Sequence, residues 1–160
     1  MLRIVERVLG LGTFQDRLVL PFERRRKSRL RVRLESGTEA ALSLERGIVL
    51  HGGDRLRADA GRIVRIEAAA EPVTRVSADD PRALARAAYH LGNRHVPLEV
   101  GDGWLKLEQD HVLEEMLIGL GMQVVRETVP FEPEAGAYGG GHHHDHHDHH
   151  HRHHGHHHHD

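Results

Sequence analysis

The chain has 160 residues and a formal net charge of −2, and without the three Asp and one Arg of its last nineteen residues it carries 21 acidic and 21 basic side chains. This balance argues against nucleic acid as the main partner, and the absence of cysteine excludes disulfides and thiolate metal sites. No apolar run reaches the roughly 20 residues of a membrane span and no signal-peptide core is present, so we expect a cytoplasmic protein without membrane contact.

The first half of the chain has the pattern of short strands. Its apolar segments are residues 18–20, 29–35, 40–44, 47–51 and 63–66. In residues 29–35 apolar and charged side chains alternate strictly, which is the period of a half-buried strand. Ser36-Gly37 predicts a turn before the return strand. No helical periodicity precedes residue 79, so we predict an α+β protein that begins with an antiparallel β domain over residues 1–71.

Two features of this first half could carry a function. The basic stretch from Arg24 to Arg33 could dock an acidic partner, but a solvated strand face with a charged loop is the interpretation we favour. His51 precedes two glycines in a predicted turn. A single loop histidine is usually structural, so His51 is not predicted to be a ligand.

The second half combines helices with strands. Asp79-Asp80-Pro81 predicts a helix start, and the apolar spacing that follows ends near Gly92, the expected residue after the helix. A second amphipathic helix is predicted to start at Asp110 and to end at Gly121. The predicted strands are residues 73–76, 96–100, 104–108 and 122–127. The order β-α-β-β-α-β predicts a ferredoxin-like domain over residues 72–137, and the composition of residues 130–138 predicts a flexible linker.

Two histidines of this second domain are candidate ligands. His95 follows the end of the first predicted helix, on a turn, where we expect it to be exposed. His111 is predicted to be the first residue of the second helix, where the helix dipole favours the neutral imidazole that can bind a metal. On local sequence alone, each is more simply interpreted as a surface or helix-end histidine. The chain has no H-E-x-x-H, Ser-His-Asp or P-loop signature.

The last nineteen residues are dominated by imidazole and contain no hydrophobic side chain, so we predict a disordered His-rich tail over residues 138–160. Neutral imidazole is a good ligand for nickel, zinc and copper. A purification tag is the simplest alternative, but Asp145, Asp148, Arg152 and Gly155 interrupt the run. We therefore predict native metal ligands. The candidate ligands of the tail are His142, His143, His144, His146, His147, His149, His150, His151, His153, His154, His156, His157, His158 and His159.

Several motifs together resemble the urease accessory protein E family. They are Gly92-Asn-Arg-His-Val-Pro-Leu98, Asp110-His-Val-Leu-Glu-Glu-Met116, Pro130-Phe-Glu-Pro-Glu-Ala-Gly-Ala-Tyr138 and the His-rich tail, with Lys27-Ser-Arg29 and Arg46-Gly-Ile-Val-Leu-His-Gly-Gly-Asp54 in the first half. The resemblance covers nearly the whole chain, with the motifs in matching order.

The resemblance implies a nickel metallochaperone and not an enzyme. It implies a homodimer that has an N-terminal domain often called peptide-binding and supplies nickel for the urease metallocentre. The implied partners are the accessory GTPase and the complex of urease apoprotein with the other accessory proteins. It further implies that His95 is the metal ligand at the dimer interface and His111 a secondary one. Some relatives have a further histidine where this chain has Gln109.

Two other functions stay open on the sequence. One is nickel or zinc storage through the tail alone. The other is a metallohydrolase in which His95 and His111 hold a metal ion that activates water. The sequence disfavours the enzyme because no third ligand is evident, and because the tail would compete for the metal. Selectivity for nickel over zinc or copper comes from the resemblance, since imidazole binds all three.

Overall fold

The structure is a computed structural model that describes residues 1–135. The predicted His-rich tail, residues 138–160, lies outside them. The described elements are β1 Leu2–Val8, β2 Asp16–Leu20, α1 Phe22–Arg25, β3 Arg29–Arg33, β4 Glu39–Ser43, β5 Arg55–Ala58, β6 Ile63–Ala68, β7 Ala70–Ser77, α2 Pro81–Asn93, β8 Glu99–Val100, β9 Trp104–Glu108, α3 His111–Gly119 and β10 Gln123–Pro130. The protein is therefore α+β, as predicted. Every helix within residues 1–135 is too short or too polar to cross a lipid bilayer.

Strands β1 to β6 form one sheet, in the order β2-β6-β5-β1-β4-β3. The alternating apolar residues of these strands turn inward and form a core that includes Leu18, Val32, Leu42, Leu56 and Ile66. The prediction of a purely antiparallel sheet was wrong, because β1 pairs in parallel with β4 and β2 in parallel with β6. Alternation fixes which face of a strand is buried, but it carries no information about the direction of a distant partner strand.

Strands β7 to β10 form the second sheet, in the order β10-β7-β9-β8. With α2 and α3 as the two crossovers, this is the ferredoxin-like arrangement that the sequence predicted. Ala87 and Leu91 of α2 and Leu117 of α3 pack against Val76 and Leu105 of the sheet. Each helix buries one apolar stripe, so its N-terminus and C-terminus are held in fixed places beside the sheet.

The helix starts lie where the sequence placed them. The Asp80 carboxylate accepts a hydrogen bond of 3.0 Å from the backbone N–H of Arg82, and Asp110 accepts one of 3.0 Å from that of Leu113. These bonds satisfy N–H groups that have no partner within the helix. At the far end of α3, Gly121 adopts φ 87°, a conformation that glycine takes without the steric cost of a side chain.

Residues 47–51 do not form the predicted strand. Ile48 and Leu50 pack into the core of the first sheet, and Val49 packs beside Phe22 and Val73. The backbone of Leu50 bonds to Arg25 instead of to a neighbouring strand. Consecutive apolar residues are partly or fully buried here without a strand partner, so the run gives the same sequence pattern as a strand. The sequence analysis also missed β1, β5 and the single turn of α1.

Candidate metal-binding site

His95 is the second residue beyond the end of α2, after the C-cap residue Arg94, and has φ 56°. Its N–H donates to the Gly92 carbonyl (3.0 Å), and the N–H of Val96 donates to the Leu91 carbonyl (3.2 Å). This pair of bonds is the Schellman motif, in which the residue in the left-handed conformation is usually glycine. The prediction that Gly92 fills this position was wrong, because α2 runs to Asn93. A histidine in this conformation is strained by about 1–2 kcal/mol, a cost concentrated at functional sites in proteins.

The side chain of His95 is exposed and lines a groove of about 750 Å³. The first sheet and its loops contribute Arg7, Ile48 and His51 to this groove, and the segment after α2 contributes His95, Pro97 and Leu98. Pro133 to Ala135, the last described residues, complete it. The groove therefore joins the end of α2 to the point from which the chain continues toward the His-rich tail.

Residues 131–135 are firmly attached, which contradicts the prediction of a flexible linker for this part of residues 130–138. Phe131 is fully buried and packs edge to face on Phe22 at 5.7 Å between ring centroids. The N–H of Glu132 donates to the Glu99 carboxylate (2.7 Å), and the N–H of Glu134 donates to the Leu98 carbonyl (2.8 Å). The prolines and the glycine of residues 130–138 give this stretch the composition of a linker, but Phe131 within it is a core residue.

Arg25 holds this junction together from inside the protein. Its side chain is fully buried and donates to the carbonyls of Leu20 (3.0 Å), Leu50 (3.1 Å) and Phe131. Burial lowers the pKa of Arg25, whereas the nearby carboxylates, Glu132 foremost, act in the opposite direction. The expectation of a solvated basic stretch is therefore wrong for Arg25. The sequence gives no signal for this, because Arg25 stands among residues of the same type that are exposed.

His111 is the first residue of α3, as predicted, and its side chain is exposed. Its Nε2 lies 3.1 Å from Oε1 of Glu115, one helical turn further on. Gln109 donates to the carbonyl of Val73 (3.2 Å), so its amide ties α3 to the sheet. Unlike His95, His111 is not among the residues that line the groove.

Glu114 is the buried carboxylate of this helix. It accepts hydrogen bonds from the Arg126 guanidinium, the closest at 2.9 Å, and from the Thr74 hydroxyl at 2.6 Å. The bonds from Arg126 lower the pKa of Glu114, burial opposes them, and Thr74 lowers it further. This network fixes α3, and with it His111, against the sheet.

Residues 1–135 contain no cluster of three or more His, Asp or Glu side chains arranged to hold a metal ion. His95 is therefore an exposed candidate ligand without two further His, Asp or Glu side chains grouped around it in this part of the chain. The fourteen candidate ligands between His142 and His159 lie outside it. The assignment of these side chains as ligands stays a prediction.

This chain, an α+β protein with a mixed β sheet, a ferredoxin-like sheet and a histidine at the groove beside them, is similar in sequence to known proteins. The sequence model of the UreE urease accessory protein N-terminal domain matches residues 11–69, and that of the C-terminal domain matches residues 71–159. The chain belongs to the UreE urease accessory protein family.

Individual relatives named "Urease accessory protein UreE" agree with this. The protein from Cupriavidus necator is 61% identical over 128 residues, which is 80% of this chain and 67% of that protein. The protein from Alkalilimnicola ehrlichii is 53% identical over 140 residues, 88% of this chain and 86% of that protein. The one from Cupriavidus pinatubonensis is 60% identical over 128 residues, 80% of this chain but only 58% of that longer protein.

Proposed function

We propose that this protein is a nickel metallochaperone that supplies nickel for assembly of the urease active site. The observation that carries the proposal is the position of His95, exposed, strained and beside the anchored segment that leads to the His-rich tail. His142 is seven positions beyond Ala135, and an extended chain covers at most about 3.5 Å per position, so the first histidine of the tail can lie up to about 25 Å from Ala135. Because the chain belongs to the urease accessory family, we infer that urease receives the metal.

The proposed site is shared between two chains. In a homodimer whose two-fold axis passes near His95, each chain contributes one imidazole. Divalent nickel takes more than two donors, so imidazoles of the tail complete its coordination from a tether that keeps them at high local concentration. A site that is left open by the protein around it exchanges its ion readily, as delivery requires, whereas a structural site is closed.

We propose that the protein carries metal and does not transform a substrate. We assign residues 1–71 to an N-terminal domain, residues 72–137 to the metal-binding domain and residues 138–160 to the tail. His111 is the secondary ligand. The proposed partners are the other urease maturation factors, among them the accessory GTPase and the complex around the urease apoprotein, in the cytoplasm. The metal is cargo, and zinc or copper can occupy the same imidazoles.

Nickel titration calorimetry on the whole chain and on a version that ends at Tyr138 tests the proposal. We expect the shorter version to lose most of the bound ions and to keep one tight site per dimer. His95→Ala should remove that tight site, whereas His90→Ala, the matched change of a histidine within α2, should preserve it. A shorter version that binds no nickel would contradict the proposal and favour storage by the tail.

The metallohydrolase alternative makes a different prediction. A metal ion held by His95 and His111 would support turnover of simple esters or phosphate esters by the metal-loaded protein. For a chaperone we expect no turnover above that of the free metal ion. Turnover that His95→Ala abolishes would favour the enzyme.

A further inference from the structure

A second imidazole lies at the groove, on the loop that precedes β5. His51 Nδ1 is 3.7 Å from Oε1 of Glu132, which is beyond the range of a hydrogen bond. About half of the His51 side chain and 38% of the Glu132 side chain are exposed. Two donors 3.7 Å apart that each bond an ion at about 2.1 Å make an angle of about 125° at the ion, somewhat wider than the tetrahedral angle of about 109°. The pair can therefore share an ion with little rearrangement.

Both donors are held in place by their surroundings. The N–H of His51 donates to the Asp54 carboxylate (2.8 Å), and the N–H of Asp54 donates back to the His51 carbonyl (3.1 Å). The N–H of Gly52 donates to Oε1 of Glu132 (2.6 Å), and a buried Arg25 nitrogen lies 3.6 Å from the same oxygen. The bonds with Asp54 fix the backbone of His51, and the bond from Gly52 orients the Glu132 carboxylate, as the outer partners of metal ligands do.

The same contacts limit how tightly an ion can be held. Two side chains supply only two donors, so water or another imidazole must fill the other positions. The positive charge of Arg25, 3.6 Å from Glu132, repels a cation. An ion at His51 and Glu132 is therefore held more weakly than one that is bound by several imidazoles, and it exchanges faster.

The location of His51 and Glu132 indicates a role for this weak site. His51 and His95 line the same groove, and so do Pro133 to Ala135, which follow Glu132 directly and lead toward the tail. We propose that His51 and Glu132 form a transit site, which holds a divalent metal ion after it leaves the tail and before it reaches His95. The proposal rests on the proposed function, in which nickel binds to the tail and to His95.

Paramagnetic nickel provides the test in the full-length protein, because it broadens the NMR signals of nearby backbone amides. Because this site is the weaker one, we expect Ni²⁺ added beyond what the tail and His95 take up to broaden the amides of Gly52 and Gly53. His51→Gln should abolish this broadening and leave the amides of Arg94 and Val96, beside His95, broadened. His90→Gln is the matched control and should behave like the unchanged protein.

A second variant distinguishes metal bound at His51 from metal bound at His95. In His95→Ala, Ni²⁺ should still broaden the amides of Gly52 and Gly53, although those beside residue 95 should sharpen. Loss of broadening at Gly52 in His95→Ala would show that the ion sits only at His95 and would overturn the transit site. Persistence at Gly52 in His51→Gln would overturn it as well. If the amides beside His95 never broaden, the proposed function itself fails, which is a distinct result.

Discussion

Replacement of Arg25 by Met tests the junction beside the groove most directly. The change preserves a long side chain but removes every donor, so the carbonyls of Leu20, Leu50 and Phe131 lose the bonds that Arg25 makes. All three residues are buried, and an unsatisfied buried group costs about 1–3 kcal/mol. With partial relaxation, we expect the free energy of unfolding to fall by about 3–5 kcal/mol, the lower part of what three such carbonyls would cost.

Urea unfolding measures this loss. Circular dichroism reports on both sheets, and the fluorescence of Trp104, the chain's one tryptophan, reports on β9 in the second sheet. Arg24→Met is the matched control, because Arg24 is exposed and its side chain makes a single hydrogen bond within residues 1–135, to the Arg31 carbonyl (3.0 Å), so its loss should cost less than about 1 kcal/mol. A cost for Arg25→Met as small as that of the control would refute the argument that Arg25 holds the junction.

Three further predictions follow from single residues. His95→Gly should raise the free energy of unfolding of the metal-free protein above that of His95→Ala by about 0.5–1 kcal/mol, because glycine relieves the left-handed strain; equal thermal stability would contradict this. Arg126 lowers the pKa of Glu114 in the folded protein. Ionised Glu114 therefore stabilises the fold fully at pH values above its usual pKa near 4.5, and this stabilisation is lost as the pH falls through the lowered pKa. Glu114→Gln should therefore flatten the acid side of the stability curve, and an unchanged acid titration by circular dichroism would count against the network. Gly101→Ala should destabilise β9 by about 1–3 kcal/mol, visible as a shifted urea midpoint, because the added Cβ would stand 1.9 Å from the Trp104 ring; an unshifted midpoint would mean that the ring moves aside freely.

Local patterns predicted the elements that depend on local chemistry. β3 was found because Leu30 and Val32 alternate with arginines, and β9 because a glycine turn precedes an apolar alternation. The starts of α2 and α3 followed from aspartate caps. In each case the residues that determine the structure lie within a few positions of each other, so the sequence is sufficient.

The structural features that the sequence did not predict depend on contacts between distant residues. Arg25 bonds to a carbonyl 106 positions away, and Glu132 meets His51 across 81 positions, so no local pattern marks either pair.

His95 was predicted to be a turn residue after α2, but its left-handed conformation was not predicted, because glycine is the usual residue for that conformation and Gly92 lies close by. The side chain that glycine lacks is the one that the proposed function requires.

The parallel pairings of the first sheet also constrain how the chain folds during synthesis. β1 cannot complete its pairings until β4 and β5 have been made, and β2 must wait for β6, at residues 63–68. Pairings between distant segments slow folding, since the loop between them must close first. β7 then waits for β10, and the carbonyl of Phe131 reaches Arg25 only after that strand. The groove beside His95 is thus among the last of the described parts of the molecule to form.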